Sequence, residues 1–233
     1  MRIEMFFEEI WPCIQETNDY LCAQRATQSS EGITAGLNFS IILGAACFLE
    51  GVLESFLRAI LDCRSQEFNR NEIADFETRR AVNSYYNRLE VDLSERIGRS
   101  IGASGYSETF ELVFGEPLTS LRDIAPLWEG ITVLFNFRNV LGHGRRVFAQ
   151  RFRPRRPEDG ATEDFSGSYR VVESYLLKTR LMNERFMDAH SEYIFLSNAI
   201  ADHFWELAKQ VPPAMLRSLP DPERDACRRR IEE

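Results

Sequence analysis

The chain has 233 residues, 44% of them hydrophobic, enough to bury a substantial core. Its 36 acidic residues outnumber 28 basic ones, for a net charge of −8 and a pI of about 5.1. That balance excludes a generally basic nucleic-acid coat and leaves only a local basic patch as a route to phosphate.

Scarce glycine and proline, with Leu, Phe, Ala, Glu and Arg plentiful, favour an all-α protein over an all-β one. Residues 3–26 carry Phe6, Ile10, Cys13, Ile14 and Leu21 at helical spacing, with Pro12 marking a kink or a late start. Residues 27–35 read as a link. Residues 37–62 form the strongest helical segment. It is apolar on every side from Ile41 to Leu49, then one-sided through Val52, Leu53, Phe56, Leu57 and Ile60. Its uninterrupted apolar run ends at Glu50, too short to span a membrane. Glu50 and Glu54 are four apart on one face. They suit acid–base work, metal binding or a solvated face, and Glu50 also suits the balancing of a buried arginine.

Residues 71–97 read as a long helix capped by Asn71, with Phe76, Val82, Tyr85, Tyr86, Leu89, Leu93 and Ile97 apolar. Residues 98–119 read as a loop around a short helix near 108–113. Pro126 is placed to open the next helix. On it Leu127, Ile131, Leu134 and Leu141 form one stripe, and Arg138 stands where packing calls for an apolar residue. Asn139 and His143 are four apart, and Gly142 and Gly144 mark the helix end. Arg145, Arg146, Arg151, Arg153, Arg155 and Arg156 follow, with no acid before Glu158. The stretch 145–168 reads as an irregular Arg-rich insertion, with a short strand at 147–152. Residues 169–182 fit a helix or a strand. Residues 189–210 fit a helix stopping at Val211-Pro212-Pro213, and 211–233 read as a loosely attached tail behind a single helical domain over 1–210.

Five cysteines without CxxC or other metal-like spacing, and an N-terminus without a signal-peptide pattern, point to a reduced cytoplasmic protein whose thiols act as small hydrophobes. Three histidines, His143, His190 and His203, make no HExxH unit, and no P-loop, dinucleotide fingerprint or GxSxG elbow is present. No metal and no cofactor is expected. His203 reads as a satisfied structural histidine. The coherent chemistry lies in Arg138, Asn139 and His143. A neutral imidazole can take the proton of a ribose 2′-OH, an imidazolium can protonate the leaving 5′ oxygen, and a guanidinium can hold the phosphate oxygens. One histidine cannot easily serve as base and acid together, so a symmetric dimer is expected to supply the second.

Arg138-Asn139-Val140-Leu141-Gly142-His143 resembles the RNxxxH form of the Rx4–6H motif of the HEPN superfamily (higher eukaryotes and prokaryotes nucleotide-binding). The resemblance covers roughly residues 37–208. It implies an up-and-down helical bundle, a homodimer, and metal-independent RNA cleavage in a toxin–antitoxin or other defence system. The RiboL-PSP-HEPN subgroup and its relatives fit equally. Arg138, Asn139 and His143 would be catalytic, and Glu50 the acid that accompanies the arginine. Arg145, Arg146, Arg151 and Arg153 would bind RNA. An antitoxin or other defence protein would be a partner, and a membrane would not. A binding module without catalysis is the alternative.

Overall fold

A computed structural model describes residues 11–70, 76–97, 102–142, 167–182 and 194–232. Among these residues the fold is all-helical, with no strand. The helices are α1 (Trp11–Arg25), α2 (Glu31–Arg70), α3 (Phe76–Ile97), α4 (Ala103–Phe114), α5 (Trp128–Gly142), α6 (Gly167–Lys178), α7 (Asn198–Ser218) and α8 (Asp221–Glu232). The chain divides into two compact units. One comprises Met1–Pro12, Leu49–Trp128 and Lys209–Glu233; the other comprises Cys13–Phe48 and Glu129–Ala208.

The second of these units is built from α1, the first half of α2, α5, α6 and the first half of α7. Asn18 of α1 donates from Nδ2 to the Ile41 carbonyl at 3.1 Å. This contact requires Gly44, since a Cβ there would stand 2.2 Å from Asn18 Oδ1. Phe48 meets Trp205 edge-on at 5.3 Å, and Phe137 meets Phe204 at 5.6 Å. The Trp205 indole N–H donates to Asp19 at 2.9 Å, so the polar end of a buried ring is satisfied. Asn38, fully buried, accepts from Arg25 at 2.8 Å and donates to the Leu196 carbonyl and to Asn198. Arg25 also pairs with Asp202.

The other unit contains the second half of α2, α3, α4, the end of α7 and α8. Trp11 packs on Gly51, where a Cβ would lie 2.7 Å from the Trp11 Cβ. Arg64 pairs with the buried Glu223 at 3.1 Å, donates to the Val113 carbonyl and lies 4.8 Å over the Phe114 ring. Gly115 ends α4 in the left-handed conformation, φ 96°, and returns its N–H to the Glu111 carbonyl.

Helix α2 is longer than the spacing predicts, running from 31 rather than 37. Ser30 caps it, its carbonyl accepting from Thr34 at 2.9 Å. Ser, Gly and Thr at 29–34 read as a link because the same residues serve turns and caps. Its stretch Glu31–Arg64 is long and apolar enough to cross a membrane by length and composition, because a window average tolerates the interruption at Glu50. Ile41, Ile42, Ala45, Leu49 and Ile60 of that stretch are fully buried, and 44% of its apolar window is buried in all. Residues 169–182, open between helix and strand, are helical to Lys178, with Val172 and Leu176 buried. Helix α4 begins at Ala103, earlier than expected. In α3, Val82 and Leu89 are half-buried but Tyr85 is 56% exposed, so it is not a core tyrosine. The Asn71 cap and the strand at 147–152 lie outside the described residues. Of the thiols, Cys227 behaves as a small hydrophobe: burial pushes its pKa up to about 12, with Cys63 and Glu223 adding to the effect. Cys13 and Cys47 are exposed.

Two further departures are at the C-terminus. Helix α7 does not stop at Val211 but runs through Pro212 and Pro213 to Ser218. Each interior proline removes a hydrogen bond and crowds the preceding turn, at a cost of about 3 kcal/mol. The apolar period is nevertheless unbroken across the pair. Ile200, Phe204, Ala208, Val211, Ala214 and Met215 are all buried, and that burial outweighs the backbone penalty. Residues 211–233, expected as a loose tail, finish α7 and form α8, whose Cys227 is fully buried against α2 beside the Phe56 carbonyl.

Pro213 is exposed, so its ring contributes little to packing. Pro213→Ala restores a donor for the Lys209 carbonyl and is expected to stabilise the protein by about 1–2 kcal/mol, after the loss of proline's restraint on the unfolded chain. Thermal melting checks this; a lower Tm would mean that the bend is required.

Candidate functional site

Helix α5 supplies the site. It is buried over most of its circumference: Ile131, Val133, Leu134, Phe135, Phe137, Val140 and Leu141 are all in the core. Its open side is a polar seam of Glu129, Thr132, Asn136 and Asn139, spaced by three or four residues, which keeps them within one narrow arc. His143 is the next step in that spacing and lies outside the described residues, as do Arg145, Arg146, Arg151 and Arg153.

Arg138 is on the opposite side from the seam, in register with Ile131, Leu134 and Leu141. It is half-buried. Its Cζ lies 5.8 Å from the Phe135 ring centroid, within cation–π range, and its Nη2 donates a long hydrogen bond of 3.4 Å to Asn139 Oδ1. The arginine's long stem covers apolar surface while the charged head reaches the seam at Asn139. The structure therefore brings Arg138 and Asn139 together, one turn before the described end of α5. Glu50 is half-buried in α2, in the unit that includes Leu49–Trp128, whereas Arg138 belongs to the unit that includes Glu129–Ala208. Glu54 is engaged by Arg58 at 2.9 Å, a local pair on the helix surface, so the paired-carboxylate reading of 50 and 54 is not what its geometry favours.

At the start of α5 stands a second polar group, which sequence spacing could not reveal. Tyr175 of α6 and His203 of α7 are hydrogen-bonded, Oη to Nε2, at 2.8 Å. Gly130 makes room for the tyrosine: a Cβ there would lie 2.9 Å from the Tyr175 hydroxyl and 2.8 Å from Leu207 Cδ2. Burial lowers the His203 pKa, while burial and then the nearby Glu129 carboxylate raise that of Tyr175. Both groups are thereby held in their neutral forms. Glu129 itself is tied to Lys178 at 2.7 Å on the surface. His203 is thus the satisfied structural histidine expected from its apolar surroundings. The His203 imidazole is engaged by Tyr175 and packs edge-on against Phe204 at 5.3 Å, so it belongs to this buried pair.

The depressed His203 pKa carries a pH dependence. The unfolded state binds the proton from about pH 6.5 downward, whereas the folded state resists it until lower pH. Its contribution to stability is complete above pH 6.5 and is lost as pH falls toward the folded-state value. Denaturant melts at pH 7.5 and 5.5 are expected to show a drop that is smaller in His203→Phe. The same variant should cost about 1–3 kcal/mol at pH 7.5, because the buried Tyr175 hydroxyl loses its partner. An unchanged pH slope would assign the acid sensitivity elsewhere.

None of the family models, curated proteins or solved structures compared with the chain matches it.

Proposed function

We propose that the protein is a metal-independent endoribonuclease of the HEPN type, acting as a homodimer in a toxin or defence system in the cytoplasm. The observation that carries the reading is Arg138: a half-buried arginine on the apolar register of α5, turned toward Asn139 at the end of the helix that leads directly into His143.

The chemistry follows from the residue types. Ribose 2′-OH attacks the adjacent phosphorus as the His143 imidazole takes its proton. The 5′ oxygen leaves with a proton from a second imidazole, and the product is a 2′,3′-cyclic phosphate. Arg138 holds the nonbridging oxygens, where charge grows, and Asn139 orients the guanidinium and the phosphate. His203 is engaged by Tyr175 and kept neutral by burial, so a second His143 from another copy of the chain is the natural acid. Glu50 as the accompanying acid, and Arg145, Arg146, Arg151 and Arg153 as phosphate contacts, are carried by the resemblance and by the basic run.

The test is incubation of purified protein with RNA in excess EDTA and analysis of the new ends. Cutting with 2′,3′-cyclic phosphate termini is expected. RNA binding without any cutting would favour a binding module that uses the same residues.

A further inference from the structure

On the ribonuclease reading, we propose that the α5 seam holds a single-stranded segment of the RNA beside the scissile bond, with Asn136 as a positioning residue. The partners on this seam set which amide atoms face outward. Asn136 Nδ2 donates to the Thr132 carbonyl at 2.9 Å, and a carbonyl can only accept. Its Oδ1 is therefore the atom left over, and it has no hydrogen-bond partner among the described residues. Asn139 Oδ1 accepts from Arg138 Nη2, and a guanidinium can only donate, so Asn139 is left with its Nδ2 hydrogens. The seam thus presents an acceptor at Asn136, held by its 2.9 Å bond to Thr132, and a donor at Asn139 three residues on, about 4.5 Å along the axis.

That pairing suits the uncharged parts of a nucleotide. Base edges and the ribose 2′-OH offer donors and acceptors side by side, whereas a phosphate offers only acceptors. Lys178, at the Glu129 end of the seam, is occupied by that carboxylate, and Arg138 reaches only the Asn139 end. The division of labour is then spatial: Arg138 takes the reacting phosphate and Asn136 holds the neighbouring nucleoside. Short amides on a helix surface reach splayed bases, whereas in an A-form duplex the base edges are recessed or paired, so the occupant is single-stranded.

Binding of a labelled single-stranded RNA is measured by anisotropy in the His143→Ala background, where the strand survives. Asn136→Leu is expected to weaken binding about tenfold, the value of one well-placed hydrogen bond. Asn136→Asp is expected to weaken it further, because its carboxylate repels the backbone. With His143 intact, Asn136→Leu should raise KM and leave kcat within about twofold, a split that a merely structural residue would not give. Circular dichroism and melting confirm that both variants fold. RNA affinity unchanged in both variants overturns the proposal, even if the wild type cuts RNA. Asn136-dependent binding by a wild type that cuts nothing leaves strand binding standing and removes the ribonuclease reading.

Discussion

His143→Ala is expected to reduce RNA cutting by about 10²–10⁴-fold, the usual loss on removal of a general acid–base group, without lowering Tm. Arg138→Ala should lose about 10²–10³-fold, as when one donor to a developing charge is deleted, and Arg138→Lys should recover little of it. An ammonium keeps the charge but has neither the planar fork to hold two phosphate oxygens nor the flat face that stacks near Phe135 at 5.8 Å. The dimer requirement makes a sharper forecast. When wild type is mixed with an equal amount of His143→Ala and subunits exchange at random, only about a quarter of the dimers carry two imidazoles. Activity per wild-type chain then falls to about half. A subunit that cuts alone would show no such fall. Full activity in His143→Ala would remove His143 from the chemistry altogether.

The parts of this molecule visible in the sequence are those set by a single periodicity. Helix α2 was legible from Ile41 through Ile60 because burial repeats there at the helical period, and α5 because its stripe did the same. Arg138 stood out as an exception to such a stripe, and the structure keeps it on that register, half-buried. Errors arose where a local rule competed with burial elsewhere. Pro212 and Pro213 look like a stop, but Val211, Ala214 and Met215 bury enough apolar surface to carry the helix past them. The charged sequence of α8 resembles a solvated tail because Cys227 and Ala226 alone do not advertise a buried face, and the acid beneath it, Glu223, is buried only through Arg64, 159 positions away. The Tyr175–His203 pair was invisible for the same reason. A hydrogen bond between two helices has no period, and the only hint was a glycine, Gly130, in an otherwise bulky helix. His143 and the arginines after it remain assigned by residue type and spacing alone.

The polar network around Asn38 gives the largest stability forecast. Asn38 lies between Leu37 and Phe39, so its sequence context suggests a tolerated polar residue on an apolar helix. Its surroundings make it a junction instead. The side chain is fully buried and uses three hydrogen bonds: from Arg25 at 2.8 Å, and to the Leu196 carbonyl at 2.7 Å and Asn198 at 2.9 Å. Asn38→Ala removes all three. It leaves a backbone carbonyl without that donor and a side-chain amide short of a partner, and it weakens the hold on a guanidinium that also serves Asp202. Each group deprived of a partner costs about 1–3 kcal/mol, so a total of about 3–5 kcal/mol is expected, a fall in Tm on the order of 10 °C for a chain of this size. Asn38→Leu should be no milder although it fills the space, because the loss lies in hydrogen bonding rather than volume. Asn38→Asp should also fail: it keeps acceptors for Arg25 but turns a carboxylate toward two oxygens that need donors. The decisive measurement is the cycle with Arg25→Ala. If the network acts as a unit, the double variant costs less than the two single variants added together, by at least about 1 kcal/mol. Additive losses would mean that Asn38 and Arg25 stabilise α2 independently, and that the bond between them contributes little.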